Sequence, residues 1–273
     1  MAELTRLEVI RLLAVVPACE NRQGGVRLSG VDLSGLDLRG LNFVGADLRG
    51  ANLQGADLRN ALLDHARLDR ATMNEADLAG ATLLGASLVS VQANGARLIG
   101  AVLEQANLER ADLMGADLRG AKLTQARLAR ADLSSADLAR VDLSRARMAN
   151  AQLANADLSA AELVGAELNE SNLDRVVAVG ANFSQAHVLR ASLIGARLPY
   201  ANLREANLSD CLLIGADLSE ADCSRAIFRA ANLTNALLRG TNLTRATLRG
   251  AIVEALALQE AVLSETVLDQ PSE

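Results

Sequence analysis

A period of five residues governs this chain. Read from Val26 in steps of five, the sequence runs VRLSG, VDLSG, LDLRG, LNFVG, ADLRG and keeps that frame through TVLDQ, ending at Gln270: 49 consecutive blocks. The third residue is Leu in 39 of them and apolar in the rest; the first is Ala in 37. Positions two, four and five carry nearly all the charge. Helices repeat an apolar face every 3.6 residues and strands every 2, so a strict five fits neither a long amphipathic helix nor a long strand. A fixed period over the whole chain instead marks a repeat architecture. With positions one and three inward and the others outward, each block makes a short extended side and then turns a corner. Gly at position five (Gly35, Gly40, Gly45, Gly50, Gly55) and Asp or Asn at position two suit such corners, since Gly tolerates positive φ and Asx side chains cap nearby backbone.

The blocks ADLRG, ANLQG, ADLSS and ANLTN resemble the A(D/N)LXX units of the pentapeptide repeat family over about nine tenths of the chain. That resemblance implies an all-β fold, a right-handed quadrilateral β-helix with four blocks per coil, in which residues 20 apart stack. Leu28, Leu48, Leu68 and Leu88 would then form one interior ladder. At roughly 4.8 Å between coils, about 12 coils make a rod of about 59 Å. The expected organisation is a capping helix and linker over 1–25, the β-helix over 26–270 and a tail at 271–273. Aromatics are 1% of the residues, too few for an ordinary globular core but sufficient for a narrow tube of Leu and Ala layers.

The ends of a stack need caps. Thr5-Arg6-Leu7-Glu8 fits a capping box, and Val9, Leu12, Leu13 and Val16 recur on one helical face, so a helix is expected over 5–16, stopped by Pro17. It is expected to lie across coil one, where Val26, Val31, Leu36 and Leu41 replace the later Ala. A secretory reading of VIRLLAVVPAC with Cys19 is opposed by Glu3, Glu8 and Arg11. No run reaches the ~18 apolar residues of a membrane span, so a soluble, cytoplasmic protein with no membrane partner is expected.

The residues that could carry chemistry are scattered. Cys211 and Cys223 take inward positions, where Cys acts as a small hydrophobe. His65 and His187 lie on different sides, some six coils apart. Asp37, Asp57, Asp77, Asp117, Asp137 and Asp157 stack at position two with Arg39, Arg59 and Arg119 two residues on, a recurrence of the repeat rather than a tuned acid/base pair. No inserted loop offers a concave pocket. The expectation is no enzyme, no cofactor and no metal.

Some family members protect type II topoisomerases from quinolones, and the resemblance implies a rod that mimics DNA in the enzyme's saddle, with DNA gyrase or topoisomerase IV as partner and no direct nucleic-acid binding. Net charge is only −6, against about 35 negative charges on a duplex of equal length. By side, charge sums to about +4 for that of Arg27 and Asp47, about −5 for that of Asp32 and Asn52, and about −2 for the others. Arg67, Arg70, Arg127, Arg130 and Arg147 stand on the basic side and would repel a DNA-binding saddle or else mark the face turned outward, so charge neither proves nor excludes mimicry. The acidic side, with Asp32, Asp112, Asp132, Met114, Ile194, Leu212 and Ile214, is the candidate partner-binding strip, flattened by Gly115, Gly195 and Gly215. At the C-terminus Ile252, Ala257, Val262 and Val267 replace the usual Asp or Asn. This apolar collar predicts a homodimer through the last coil, with no room for a capping helix. The competing function is a general protein scaffold with no topoisomerase role.

Overall fold

The computed structural model describes residues 5–15 and 25–268, Val15 for its backbone only; Val16, Pro17, Cys19 and the tail at 271–273 lie outside them. By its internal contacts the chain falls into two compact units, Met1–Asp137 and Leu138–Glu273.

The first unit opens with helix α1 (Arg6–Val15). Its capping box is closed: Thr5 N–H and Oγ1 donate to Glu8 Oε2 at 2.7 and 2.8 Å, and Glu8 N–H donates back to Thr5 Oγ1 at 3.4 Å. Arg6 ties the helix to the first coil through an ion pair with Asp37 (2.6 Å) and hydrogen bonds to the carbonyls of Asp37 and Arg39. Val9 is fully buried and Leu13 half-buried, but Leu12, expected on the same face, is 41% exposed. A helix held at its first turn packs one i, i+4 stripe, and Leu12 falls beside it. Val31, Leu36 and Leu41 of coil one stay half-buried.

Beyond α1 the described residues of the unit form no extended strands; its sides are single parallel bridges between residues 20 apart. Four ladders result, in chain order a first side from Arg27 to Arg127, a second from Asp32 to Asp132, a third from Asp37 to Asp137 and a fourth from Asn42 to Lys122. Four blocks therefore make one turn.

The backbone of each block is satisfied in a fixed scheme, seen in ADLRG. Asp47 N–H donates to Val26 O of the coil before (2.8 Å), Leu48 N–H to Arg67 O (2.8 Å) and Gly50 N–H to Asp69 O (2.9 Å) of the coil after. Ala51 N–H closes the corner on Leu48 O (3.0 Å). Position four is left over, and the Asx side chain at position two takes it: Asp57 Oδ1 accepts Arg59 N–H at 3.2 Å, Asn107 Oδ1 accepts Glu109 N–H at 3.2 Å. A buried N–H without a partner is costly, which explains the A(D/N)L signature. Where position two is not Asx, an Asx at position four of the preceding coil can substitute: Asp64 caps Leu84 (2.8 Å), Asp69 caps Val89 (3.1 Å) and Asn74 caps Asn94 (2.9 Å).

Position five of every block in this unit is left-handed, and Gly is only one of its occupants: Asn60 (φ +57°), Arg130 (+61°) and Glu75 (+59°) adopt the same conformation. That costs a non-Gly residue about 1–2 kcal/mol, offset by the bond its N–H makes to the next coil.

The second unit repeats this scheme, with ladders from Asp142 to Val262, Arg147 to Val267, Gln152 to Ile252 and Asp157 to Leu237. The same exchange of caps recurs, with Asn169 capping Leu189 (3.1 Å) and Asp174 capping Ile194 (3.0 Å). Its interior is Leu and Ala, with Phe183 and Phe228 each 1% exposed. Buried Thr241 and Ser171 donate to the carbonyls of Leu218 (2.8 Å) and Leu168 (2.6 Å).

One block departs from the scheme and corrects the sequence reading of the C-terminus. Residues Ala255–Gln259 form a short helix, α2, where a coil side was expected and no helix was foreseen. ALALQ joins good helix formers to an Ala at position two, Ala257, which has no side chain to cap position four. The turn shifts the register by one residue, so that Gly240 N–H meets Glu260 O (2.8 Å), before Leu243 N–H to Val262 O (2.8 Å) restores it.

Candidate protein-binding surface

In the first unit the third side is a ladder of acids already spoken for. Arg39 and Arg59 each grip the Asp two residues before them with both fork nitrogens, at 2.8–2.9 Å for Asp37 and 2.6–2.8 Å for Asp57, and Arg119 holds Asp117 the same way at 2.7–2.9 Å. Arg97 reaches Asp77 at 3.1 Å. The guanidinium hydrogen bonds hold the carboxyls of Asp37, Asp57 and Asp117 below the usual range. These aspartates also cap position four, so they are ionised structural groups, Asp37 pairing with Arg6 of α1 in addition.

The second side of this unit holds Asp32, Asp112 and Asp132, with Glu75, and no base. Asp32 accepts from Ser34 Oγ (2.7 Å) and N–H (3.1 Å) and from Asn52 Nδ2 (3.0 Å), which lowers its pKa, Ser34 contributing most. Asp112 and Asp132 are bridged neighbours; Asn94 Nδ2 donates to Asp112 at 2.9 Å and Ser134 N–H to Asp132 at 2.9 Å. Met114 is 50% exposed on this side.

In the second unit Ile194, Leu212 and Ile214 come together on one side. Ser192 bridges Leu212, and Gly195 N–H donates to Ile214 O at 2.9 Å. Ile194 and Leu212 are exposed and Ile214 half-buried. Of the residues expected to form one strip, the acidic group and Met114 lie in the first unit and the aliphatic group in the second.

At the end of the second unit Ile252 is 60% and Val262 52% exposed, while Val267 and Ala257 are half-buried, Ala257 within α2. Residues outside the expected set join them: Leu256 at 71%, Leu237 at 56%, Leu268 and Leu263. Leu256 stands out because α2 lifts its block off the coil, which nothing in the pentapeptide frame announces. The frame did carry the signal for a second missed group, on the fourth side of the first unit, where Val44, Leu62 and Leu84 occupy outward positions four and two and are exposed.

Cys211 and Cys223 are buried thiols. Burial pushes the Cys211 pKa up to about 12 and raises that of Cys223 as well, and Cys211 Sγ donates to Val188 O at 2.7 Å. Among the described residues no group of His, Cys, Asp and Glu is arranged to hold a metal ion, and no helix is long and apolar enough to cross a membrane.

The profile for pentapeptide repeats (8 copies) matches in eleven stretches, most of them overlapping, from 27–64 through to 226–264. No curated protein matches the chain. Among solved structures, the chain is similar to HetL of the cyanobacterium Nostoc sp. strain PCC 7120, a pentapeptide repeat protein involved in heterocyst differentiation regulation, at 29% identity over 99% of both chains with a TM-score of 0.44. It is also similar to full-length QnrB1, a plasmid-mediated fluoroquinolone resistance protein, at 16% identity over 82% of this chain and 94% of that one, TM-score 0.34.

Proposed function

Because the chain belongs to the pentapeptide repeat family, we propose that it is a non-catalytic binding protein whose partners are other proteins and whose specificity lies in its outward positions. The observation that carries this reading is a collar of exposed aliphatic side chains around the end of the second unit: Ile252, Leu256 and Val262 are all more than half exposed, with Ile252 and Val262 on different ladders of that unit. Exposed apolar surface ringing a terminal coil marks an interaction site. A second copy is the proposed occupant, a homodimer through the final coil in which Ile252, Val262 and Val267 meet their counterparts, with Leu256 added by α2. Light scattering tests it: the wild type is expected to be dimeric and Ile252→Asp with Val262→Asp monomeric, and a monomeric wild type refutes it.

The most specific external partner is a bacterial type II topoisomerase, DNA gyrase, engaged as a DNA mimic. The base-free second side of the first unit, with Asp32, Asp112 and Asp132, supports this reading, as does the family resemblance. A supercoiling assay titrated with the protein, with and without a quinolone, is the test. Inhibition or protection supports mimicry; no effect leaves the general scaffold, whose partner would bind the aliphatic cluster of Ile194, Leu212 and Ile214.

A further inference from the structure

The first side of the first unit is unlike the third. Seven arginines stand on it against three carboxylates, Asp47, Asp69 and Glu109. Arg49 is paired with Asp47 at 2.6 Å and Arg127 with Glu109. Arg67, Arg70, Arg110 and Arg130 are exposed and have no carboxylate within 4 Å among the described residues. On the third side the same residue type is paired at Arg39, Arg59, Arg97 and Arg119. Four guanidinium groups without a close ion pair therefore share one face, Arg67 in the position-two column, where it still acts on Asp47 through charge, and Arg70, Arg110 and Arg130 in the position-five column, with coils roughly 4.8 Å apart.

We infer that this face is a docking surface for an acidic, carboxylate-rich segment of a protein partner. This rests on the protein-binding reading above and names the chemistry of one partner. Guanidinium forks match carboxylates bidentately, and the face already shows that geometry where Arg49 Nε and Nη2 meet Asp47 at 2.7 and 2.6 Å. Width decides against duplex DNA. The three extended residues of a side span about 10 Å, less than the ~12 Å major groove of B-DNA alone. A duplex would overhang the adjoining second side, where Asp32, Asp112 and Asp132 repel phosphates. The backbone N–H groups that usually help hold phosphates are already used between coils. No exposed aromatic is available on this face to stack single-stranded bases. A narrow acidic peptide stays within the face, where arginines outnumber carboxylates seven to three.

The test uses the full chain and a fluorescein-labelled deca-glutamate peptide, read by anisotropy at low salt, with a duplex of equal charge as comparator. The variant Arg67→Asn, Arg70→Asn, Arg110→Asn, Arg130→Asn places at every site a residue the fold already holds there: Asn52 and Asn107 at position two, Asn60 and Asn150 at position five with φ near +60°. Unchanged circular dichroism and melting confirm that it folds. The expected results are peptide binding that weakens between about 50 and 200 mM salt and falls about tenfold or more in the variant. No peptide binding by the wild type, equal binding by the variant, or tighter duplex binding overturns the inference. So does salt-dependent self-association lost in the variant, which would make a second copy the occupant. Because the collar and supercoiling tests read other surfaces, binding there alongside failure here refutes the basic face and leaves the protein-binding reading standing.

Discussion

The exchange of caps between coils makes a sharp prediction at Val89. Its N–H sits at position four of a block whose position two is Ser87, and it is accepted by Asp69 Oδ1 of the preceding coil at 3.1 Å, with Ser87 Oγ donating to the same oxygen. Asp69→Ala removes the only acceptor assigned to that N–H. An unsatisfied donor in a partly buried site costs about 1–3 kcal/mol, so the Val89 amide is expected to exchange about 5- to 150-fold faster. The repeat supplies its own repair. One coil on, on the same side, Asn107 Oδ1 caps Glu109 N–H at 3.2 Å, so Ser87→Asn should let Val89 be capped from within its own block. Amide exchange followed by NMR on wild type, Asp69→Ala and Asp69→Ala/Ser87→Asn reads this directly. The single variant should lose protection at Val89, with Leu88, whose N–H donates to Asn107 O, little changed, and the double variant should regain most of it. Unchanged exchange in the single variant, or no recovery in the double, would refute the capping account of the Asx preference.

Three further outcomes are expected. Arg6→Met removes the tie between α1 and the first coil, and because both partners of the ion pair are about 40% exposed the loss should be about 1 kcal/mol or less, seen as faster exchange at Leu33 and Leu38. Asp47, Asp57 and Asp117 have lowered pKa values in the folded state, chiefly through hydrogen bonds from Arg49, Arg59 and Arg119. The stability they contribute is present above the ordinary carboxylate pKa near 4 and lost as pH falls through the lower folded values, so melting temperature should be insensitive to these groups from pH 5 to 8 and drop below about 4. In a Cys19→Ser background neither Cys211 nor Cys223 should react with a thiol reagent at pH 8 until the protein is unfolded in denaturant; labelling of the native protein would contradict their burial.

The interior was legible in the sequence because it is repetitive: a Leu or Ala at a fixed position meets the same neighbours in every coil, so the pattern alone assigns it. The capping box of Thr5 and Glu8 was legible for a related reason, being a local device complete within four residues. Leu12 was not, because its exposure depends on how α1 is held by Arg6 against Asp37, a contact 31 residues away in the chain. The helix α2 escaped notice because LALQE keeps the frame of five while lacking the Asx cap that makes a coil side pay. The surface was half legible: the acidic and basic sides follow from counting charges at intervals of 20, but only the folded structure separates Arg119, locked to Asp117, from Arg130, which has no ion pair among the described residues.

The ladder of bridges at intervals of 20 residues also constrains how such a chain can change by insertion and deletion. Losing one block from within the first unit would leave every later Leu at a centre and every later Ala at its inward corner, so the interior would not register the loss. Outside, each later residue of that unit would advance by a quarter turn, carrying arginines to where carboxylates had been. Losing four blocks would shorten the stack and leave every side in phase. Indels of 20 residues are thus silent for recognition and indels of five are not, although the core accepts both.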